Sequence, residues 1–180
     1  PSATQRAASF GTLPAQAPRM AGPNHSEGVA PSASAPPTPT LADLGGTTLE
    51  GRYELGSILG TGGMGAVFEA RHLLLGRPVA IKVLRPIFVD HDEYIERFLR
   101  EARAASMIRH RNVVEILDFG RTSSGLVYSV MELLHGQDLH KLLQSQAGGR
   151  LPWAYACRLL VQIASGLKAA HARGVIHRDI

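Results

Sequence analysis

Only one of the 180 residues is a cysteine, Cys157. No disulfide can therefore form within the chain, which fits a reducing compartment. No apolar run reaches the roughly 20 residues that a membrane span requires. Lysine is scarce as well: Lys82, Lys141 and Lys168 stand beside sixteen arginines. The basic residues are dispersed, and no lysine/arginine run is interleaved with aromatics, which argues against nucleic-acid binding. No secretory signal pattern opens the chain, and the initiator methionine is missing, so its beginning is expected to be processed or incomplete. The folded part is expected in the cytoplasm, with no membrane segment of its own; an anchor beyond residue 180 is left open.

Composition is uneven. Residues 1–48 hold eight of the eleven prolines, with much Ala, Ser, Thr and Gly and almost no aliphatic periodicity. Such a stretch buries too little apolar surface to offset its ordering entropy. Residues 1–50 are expected to be a disordered Pro/Ala/Ser-rich tail. Arg6 and Arg19 against Glu27, Asp43 and Glu50 give it a net charge of −1, leaving about +5 for the remainder of a chain whose total is +4.

From Tyr53 the texture changes. Residues 53–59 read as a strand into a glycine turn, 66–72 as the return strand, and 79–84 as a third strand after the turn Leu75-Gly76-Arg77-Pro78. Asp90-His91-Asp92-Glu93 has capping-box form. Behind it Ile95, Phe98, Leu99, Ala102 and Ala105 follow helical spacing, predicting an amphipathic helix over about 92–108. Residues 113–119 and 126–131 read as a hairpin around Ser123-Ser124-Gly125. Then the character becomes helical. A short helix over 138–146 is closed by Gly148-Gly149, and a longer one starts at Pro152. The longer helix shows Ala156, Leu159, Leu160, Ile163, Leu167 and Ala170 on one face and stops at Gly174.

The chemistry gathers in Leu59-Gly60-Thr61-Gly62-Gly63-Met64-Gly65-Ala66-Val67 and in Val79-Ala80-Ile81-Lys82. Glycines let a backbone pass close over phosphate oxygens, and a lysine supplies a compact positive charge. Taken alone, the triplet Gly60, Gly62, Gly65 also reads as a plain glycine-rich hairpin. A dinucleotide-binding fingerprint is disfavoured, because Val67-Phe68 continues as a strand rather than a helix. The acid expected about 20 residues on is also missing, since Leu84-Arg85-Pro86 stands there. Lys82 by itself reads equally as a strand-end lysine whose stem lies on apolar surface. Glu101, near the apolar face of its helix, is either solvated or the natural partner of Lys82.

His177-Arg178-Asp179 follows an extended Val175-Ile176 at the end of the chain. With it, the order of motifs over residues 52–180 resembles the N-terminal half of a protein kinase domain. The Gly-Gly-Met-Gly loop is similar to that of bacterial serine/threonine kinases. The resemblance implies an α+β, protein-kinase-like fold. Its parts would be a five-stranded antiparallel N-lobe with one helix of the αC type (51–134) and the start of a helical C-lobe (135–180).

It also implies roles, residue by residue. Gly60, Gly62 and Gly65 would cover the phosphates of ATP, with Leu59 and Val67 packing on the adenine and Ala80 as its ceiling. Lys82 would reach the α- and β-phosphates, held there by Glu101. Met131 would sit at the back of the pocket, and Glu132 and Leu134 would offer backbone groups to the adenine edge. Asp179 would be the catalytic base, and Arg178 would pair with a phosphate on the activation segment. His177 is read as structural. The partners implied are ATP and protein substrates.

Two departures stand out. Asp118-Phe119-Gly120 spells the family's magnesium-binding triplet, yet it precedes His177-Arg178-Asp179 where the functional triplet must follow. It is read as an ordinary strand end. His110-Arg111-Asn112 replaces the usual His-Pro-Asn. The Mg2+ ligands that the resemblance expects would lie beyond Ile180, so no metal residue is assigned and the 180-residue chain alone is expected to be inactive and poorly soluble. Two functions remain in view. One is a serine/threonine protein kinase present as a fragment; the other is a short non-catalytic protein, derived from a kinase, that binds a nucleotide or a partner.

Overall fold

The computed structural model describes residues 40–89 and 91–177. Arg178, Asp179, Asp90 as the expected helix cap, and the tail as far as residue 39 lie outside the described residues. One antiparallel sheet organises the rest. Its strands are β1 (Thr48–Leu49), β2 (Tyr53–Thr61), β3 (Gly65–His72), β4 (Arg77–Leu84), β5 (Ile116–Arg121) and β6 (Val127–Glu132), in the order β1-β2-β3-β4-β6-β5. Helix α1 (Asp92–Ser106) connects β4 to β5, and α2 (Leu139–Ser145) and α3 (Trp153–His171) follow the sheet. The sheet thus has six strands where five were expected.

The additional strand comes from residues expected to be part of the tail. A 3-10 turn, Leu41–Leu44, precedes β1, and Leu44 and Leu49 are buried. Gly46 N–H donates to the Leu55 carbonyl and Leu55 N–H to the Thr47 carbonyl. The two leucines join a core cluster with Tyr53, Leu55, Phe68, Ala70, Val79, Ile81, Val83, Tyr128 and Val130. Three leucines in nine residues are too few to show a period. They are ordered because a sheet face lies ready to receive them, and removing apolar area from water is favourable.

Alternation on β4 separates the two faces. Val79, Ile81 and Val83 are fully buried in that first cluster. Leu84, on the opposite face, packs with Ile95 and Phe98 of α1 and with Val127 of β6. Helix α1 starts after His91, which occupies the N-cap position, and Asp92 and Glu93 lie in its first turn with Arg103 in its last. That distribution complements the helix dipole.

Asp118 is used structurally. Its Oδ2 accepts from Tyr53 Oη at 2.8 Å and pairs with Arg52 Nη2 at 2.9 Å, while Oδ1 accepts from the Phe119 N–H at 2.9 Å. In register Asp118 stands opposite Val130, on the face of the first core cluster. The Asp-Phe-Gly triplet is a strand segment whose carboxylate ties β5 to β2.

Helix α3 docks on the link between α1 and β5. His110 Nδ1 accepts from the Asn112 N–H at 3.1 Å, so in the neutral ring the proton is on Nε2, which faces Ser165 Oγ at 3.2 Å. Asn112 Nδ2 donates to Gln162 Oε1 at 3.2 Å. Gly166 lies against this link, where a Cβ would stand 2.8 Å from the Asn112 carbonyl oxygen. The contact turns Leu159, Gly166 and Ala170 inward. Leu160, on the apolar face of this helix, is exposed, as are Trp153 and Val161.

Two outcomes are expected. Gly166→Ala forces backbone against Cβ and should cost about 1–3 kcal/mol of stability. An unchanged denaturant midpoint would contradict this docking. Burial, then the hydrogen bond to Asp118 and that carboxylate's charge, push the Tyr53 phenol up to about 12. With an unfolded value near ~10, the neutral phenol's contribution is complete below about pH 10 and is lost as pH rises through about 12. Burial raises Tyr128 too. Tyr53→Phe should therefore reduce, without removing, the alkaline loss of stability, and should cost about 1.5–3 kcal/mol at neutral pH for the lost bond to a charged acceptor. Identical alkaline unfolding curves for the two proteins would refute the assignment.

Candidate active site

Strand pairing places the expected residues in two neighbouring rows. Gly60 pairs with Val67, Val67 with Lys82, and Lys82 with Ser129, one row across β2, β3, β4 and β6. Glu69, Ala80 and Met131 form the next row. Directly paired residues share a sheet face, so Val67, Lys82, Ala80 and Met131 all lie on one side. At about 4.8 Å per strand, Lys82 is about 10 Å from the Gly60 backbone.

The glycine turn has two kinds of glycine. Gly62 N–H donates to the Gly65 carbonyl at 2.8 Å, and Arg85 N–H donates to the Met64 carbonyl at 2.9 Å, closing the turn onto β4. Gly65 is required by packing, because a Cβ there would collide with the Val83 carbonyl oxygen. Gly60 has no such reason. A Cβ on it would meet nothing within 4 Å, and its φ is not positive. It does sit at a register shift between Ile58 and Gly60. Glycine inside a strand marks either a bulge or the close approach of a ligand or another backbone.

Lys82 is half-buried, and its Nζ lies 5.7 Å from the centroid of the Phe98 ring. Burial pushes the ammonium below the ordinary lysine range, and the charge of Glu101 offsets part of that shift. The expected ion pair between them is not formed among the described residues. Glu101 Oε1 instead accepts from Arg97 Nε at 3.0 Å, an i,i+4 pair on α1 with both side chains substantially exposed (42% and 55%). Pairs of this kind contribute only about 0.2–0.5 kcal/mol. Sequence reasoning missed Arg97, although its position four residues before Glu101 was the available signal.

The apolar members are arranged unevenly. Ala80 is buried, Val67, Met131 and Leu134 are half-buried, and Leu59 is 50% exposed. Glu132 is anchored to the residue that precedes β5. Its N–H donates to the Glu115 carbonyl at 3.1 Å, and its Oε1 accepts from the Glu115 N–H at 2.9 Å. Asp179 lies outside the described residues. A glycine backbone edge, a half-buried ammonium and an apolar strip on one sheet face together suit a ligand with an anionic chain at one end and a flat apolar group at the other.

The protein kinase domain family matches residues 53–180. The chain is similar to the serine/threonine-protein kinase pkn3 of Myxococcus xanthus, at 40% identity over 143 residues. That match covers 79% of this chain and 26% of the relative. The serine/threonine-protein kinase PknA of Mycobacterium tuberculosis is 42% identical over 139 residues, covering 75% of this chain and 32% of the relative. The chain thus spans about a quarter to a third of the length of these relatives. The crystal structure of the Mycobacterium tuberculosis PknI kinase domain superposes with a TM-score of 0.64 at 30% identity, covering 75% of this chain and 54% of that one. With the kinase domain model matching residues 53–180, more than half of the chain, and Gly60 and Lys82 in one row of the sheet, this chain belongs to the protein kinase domain family.

Proposed function

We propose that this chain is the nucleotide-binding part of an ATP-dependent serine/threonine protein kinase, which transfers a phosphoryl group to a protein hydroxyl. The observation that carries the reading is the row Gly60–Val67–Lys82. It sets a glycine that β2 does not need for packing on the same face as a half-buried cation. In this reading the backbone at Gly60 and Gly62 lies over the phosphates, with Gly65 closing the turn, and Lys82 neutralises the α- and β-phosphates. Val67 and Ala80 take the adenine between the phosphate site and Met131, and Leu59 covers it from β2. Glu132 and Leu134 offer backbone groups at the adenine edge.

Asp179 is assigned as the base that orients the acceptor hydroxyl, on its motif and on the family. Catalysis in such a site rests on positioning and on charge stabilisation. Bound magnesium would neutralise phosphate charge. Among the described residues no three His, Cys, Asp or Glu are grouped to hold a metal ion. No described helix is long and apolar enough to cross a membrane. A cytoplasmic location for this part is proposed on the family's use of ATP.

The three glycine and lysine positions separate fold from function. Gly60→Ala should leave stability within about 0.5 kcal/mol, since the position is open. Gly65→Ala should cost about 1–3 kcal/mol. Lys82→Met should weaken ATP binding about 10- to 100-fold, the equivalent of one lost charge-assisted contact. Gly60→Ala should weaken it with the fold intact. Calorimetric titration of the 180-residue chain with ATP checks all three, alongside denaturant melts. A wild-type chain that folds and does not bind ATP would end this reading, as would unchanged affinity in Lys82→Met.

A further inference from the structure

Acidic side chains leave two gaps in this chain. None occurs between Glu101 and Glu115, and none between Asp138 and Asp179, while the two stretches hold seven arginines and two lysines. They carry +9 of a chain whose total is +4, so the remainder carries −5. Strands β5 and β6 separate the gaps in sequence, and the docking of α3 on the link between α1 and β5 brings them together. His110 meets Ser165 there, and Arg109 and Arg111 on either side of it are exposed. Arg158, Val161, Ser165 and Lys168 follow one another at helical spacing, so the flank of α3 that meets His110 carries two more exposed cations. Arg103, also exposed, adds a fifth from the last turn of α1. None of the five has an ion pair among the described residues.

Complementing the helix dipole accounts for Arg103 and Lys168, which lie in the last turns of their helices. It does not account for Arg158 in the first half of α3, or for Arg109 and Arg111 outside any helix. Arg158 and Lys168 are ten residues apart in α3, about 15 Å along its axis. Cations so spread do not converge on one phosphate, which takes two or three donors at once. They match a plane of repeated single charges. Val161 and Met107, 69% and 50% exposed, stand among them, and apolar side chains between cations suit the boundary of a lipid layer. We propose that this corner, built from the end of α1, the link after it and one flank of α3, docks on an anionic lipid surface. The proposal stands apart from the nucleotide-site reading, since its five cations lie outside the row Gly60–Val67–Lys82.

Cosedimentation of the 180-residue chain with lipid vesicles tests it. Vesicles of phosphatidylcholine and phosphatidylglycerol, about 2:1, should bind the chain, and phosphatidylcholine vesicles should bind it at least about tenfold more weakly. Added salt should weaken the binding by screening. Each cation near such a surface strengthens binding about fivefold, so the triple variant Arg109→Gln, Arg111→Gln, Arg158→Gln should bind about 100-fold more weakly. The triple variant Arg71→Gln, Arg77→Gln, Arg121→Gln removes the same charge from the sheet and should bind like the wild type. Changing Arg109, Arg111 and Arg158 to lysine should keep binding, because a plane of charge does not need the guanidinium fork. Should the first triple variant not fold, Arg109→Gln with Arg111→Gln, both outside helices, should still lose about 25-fold. Absent binding to the anionic vesicles, or equal binding to the neutral ones, overturns the proposal. So do glutamine variants of the corner that bind like the wild type, and a sheet variant that loses as much as they do. Loss of binding in the folded lysine variant overturns it too, in favour of a phosphorylated segment recognised through arginine forks.

Discussion

The alternation of β4 is the constraint on which the rest depends. Val79, Ile81 and Val83 are fully buried against β2, β3 and β6, and this fixes Ala80, Lys82 and Leu84 on the other face. A slip of one residue would drive the Lys82 ammonium into the apolar cluster and turn three branched side chains out of it. The cost of burying that charge holds the register as firmly as the burial of Ile81 does. Gly65 reinforces it, because only a residue without a Cβ can pass the Val83 carbonyl.

The two faces divide the labour. One is closed by Leu44 and Leu49 and is tied at its rim by Arg52, Tyr53 and Asp118. It carries the stability. The opposite face is covered by α1 at Leu84 and Val127, and it presents Val67, Ala80, Lys82 and Met131 further along the strands. Asp118 and Lys82 are thus separated by the sheet itself. That separation, together with the engagement of both Asp118 oxygens, explains why a triplet with a metal-binding spelling serves as a strand.

Helix α1 links the faces to the chemistry. Phe98 anchors it in the core and also provides the surface on which Lys82 rests. Arg97 and Glu101 flank Phe98 toward solvent. On the far side of the link, His110 and Asn112 bind α3 through Ser165 and Gln162. Sheet and helical segment are joined by short polar contacts around one close backbone approach.

Much was legible in the residues themselves. The runs from Tyr53 and from Val79 alternate as strands must, and the apolar spacing of Ile95, Phe98 and Ala102 is helical. The Gly60–Lys82 motif pair indicated both the fold and the family. These are local properties, set by steric preference and by the periods of strand and helix. Three features were decided only by tertiary structure. Leu44 and Leu49 order because a sheet face assembled elsewhere offers them burial. Leu159 is buried beside Gly166 and Ala170 because Gly166, through its contact with Asn112, sets the rotation of α3. Glu101 pairs with Arg97 rather than Lys82 because its choice depends on distances between α1 and β4. The sequence by itself determined which strands and helices form and which side chains carry charge; the packing of those elements decided which charges meet, because Coulombic and hydrogen-bonding partners are chosen over a few ångströms that chain order does not specify.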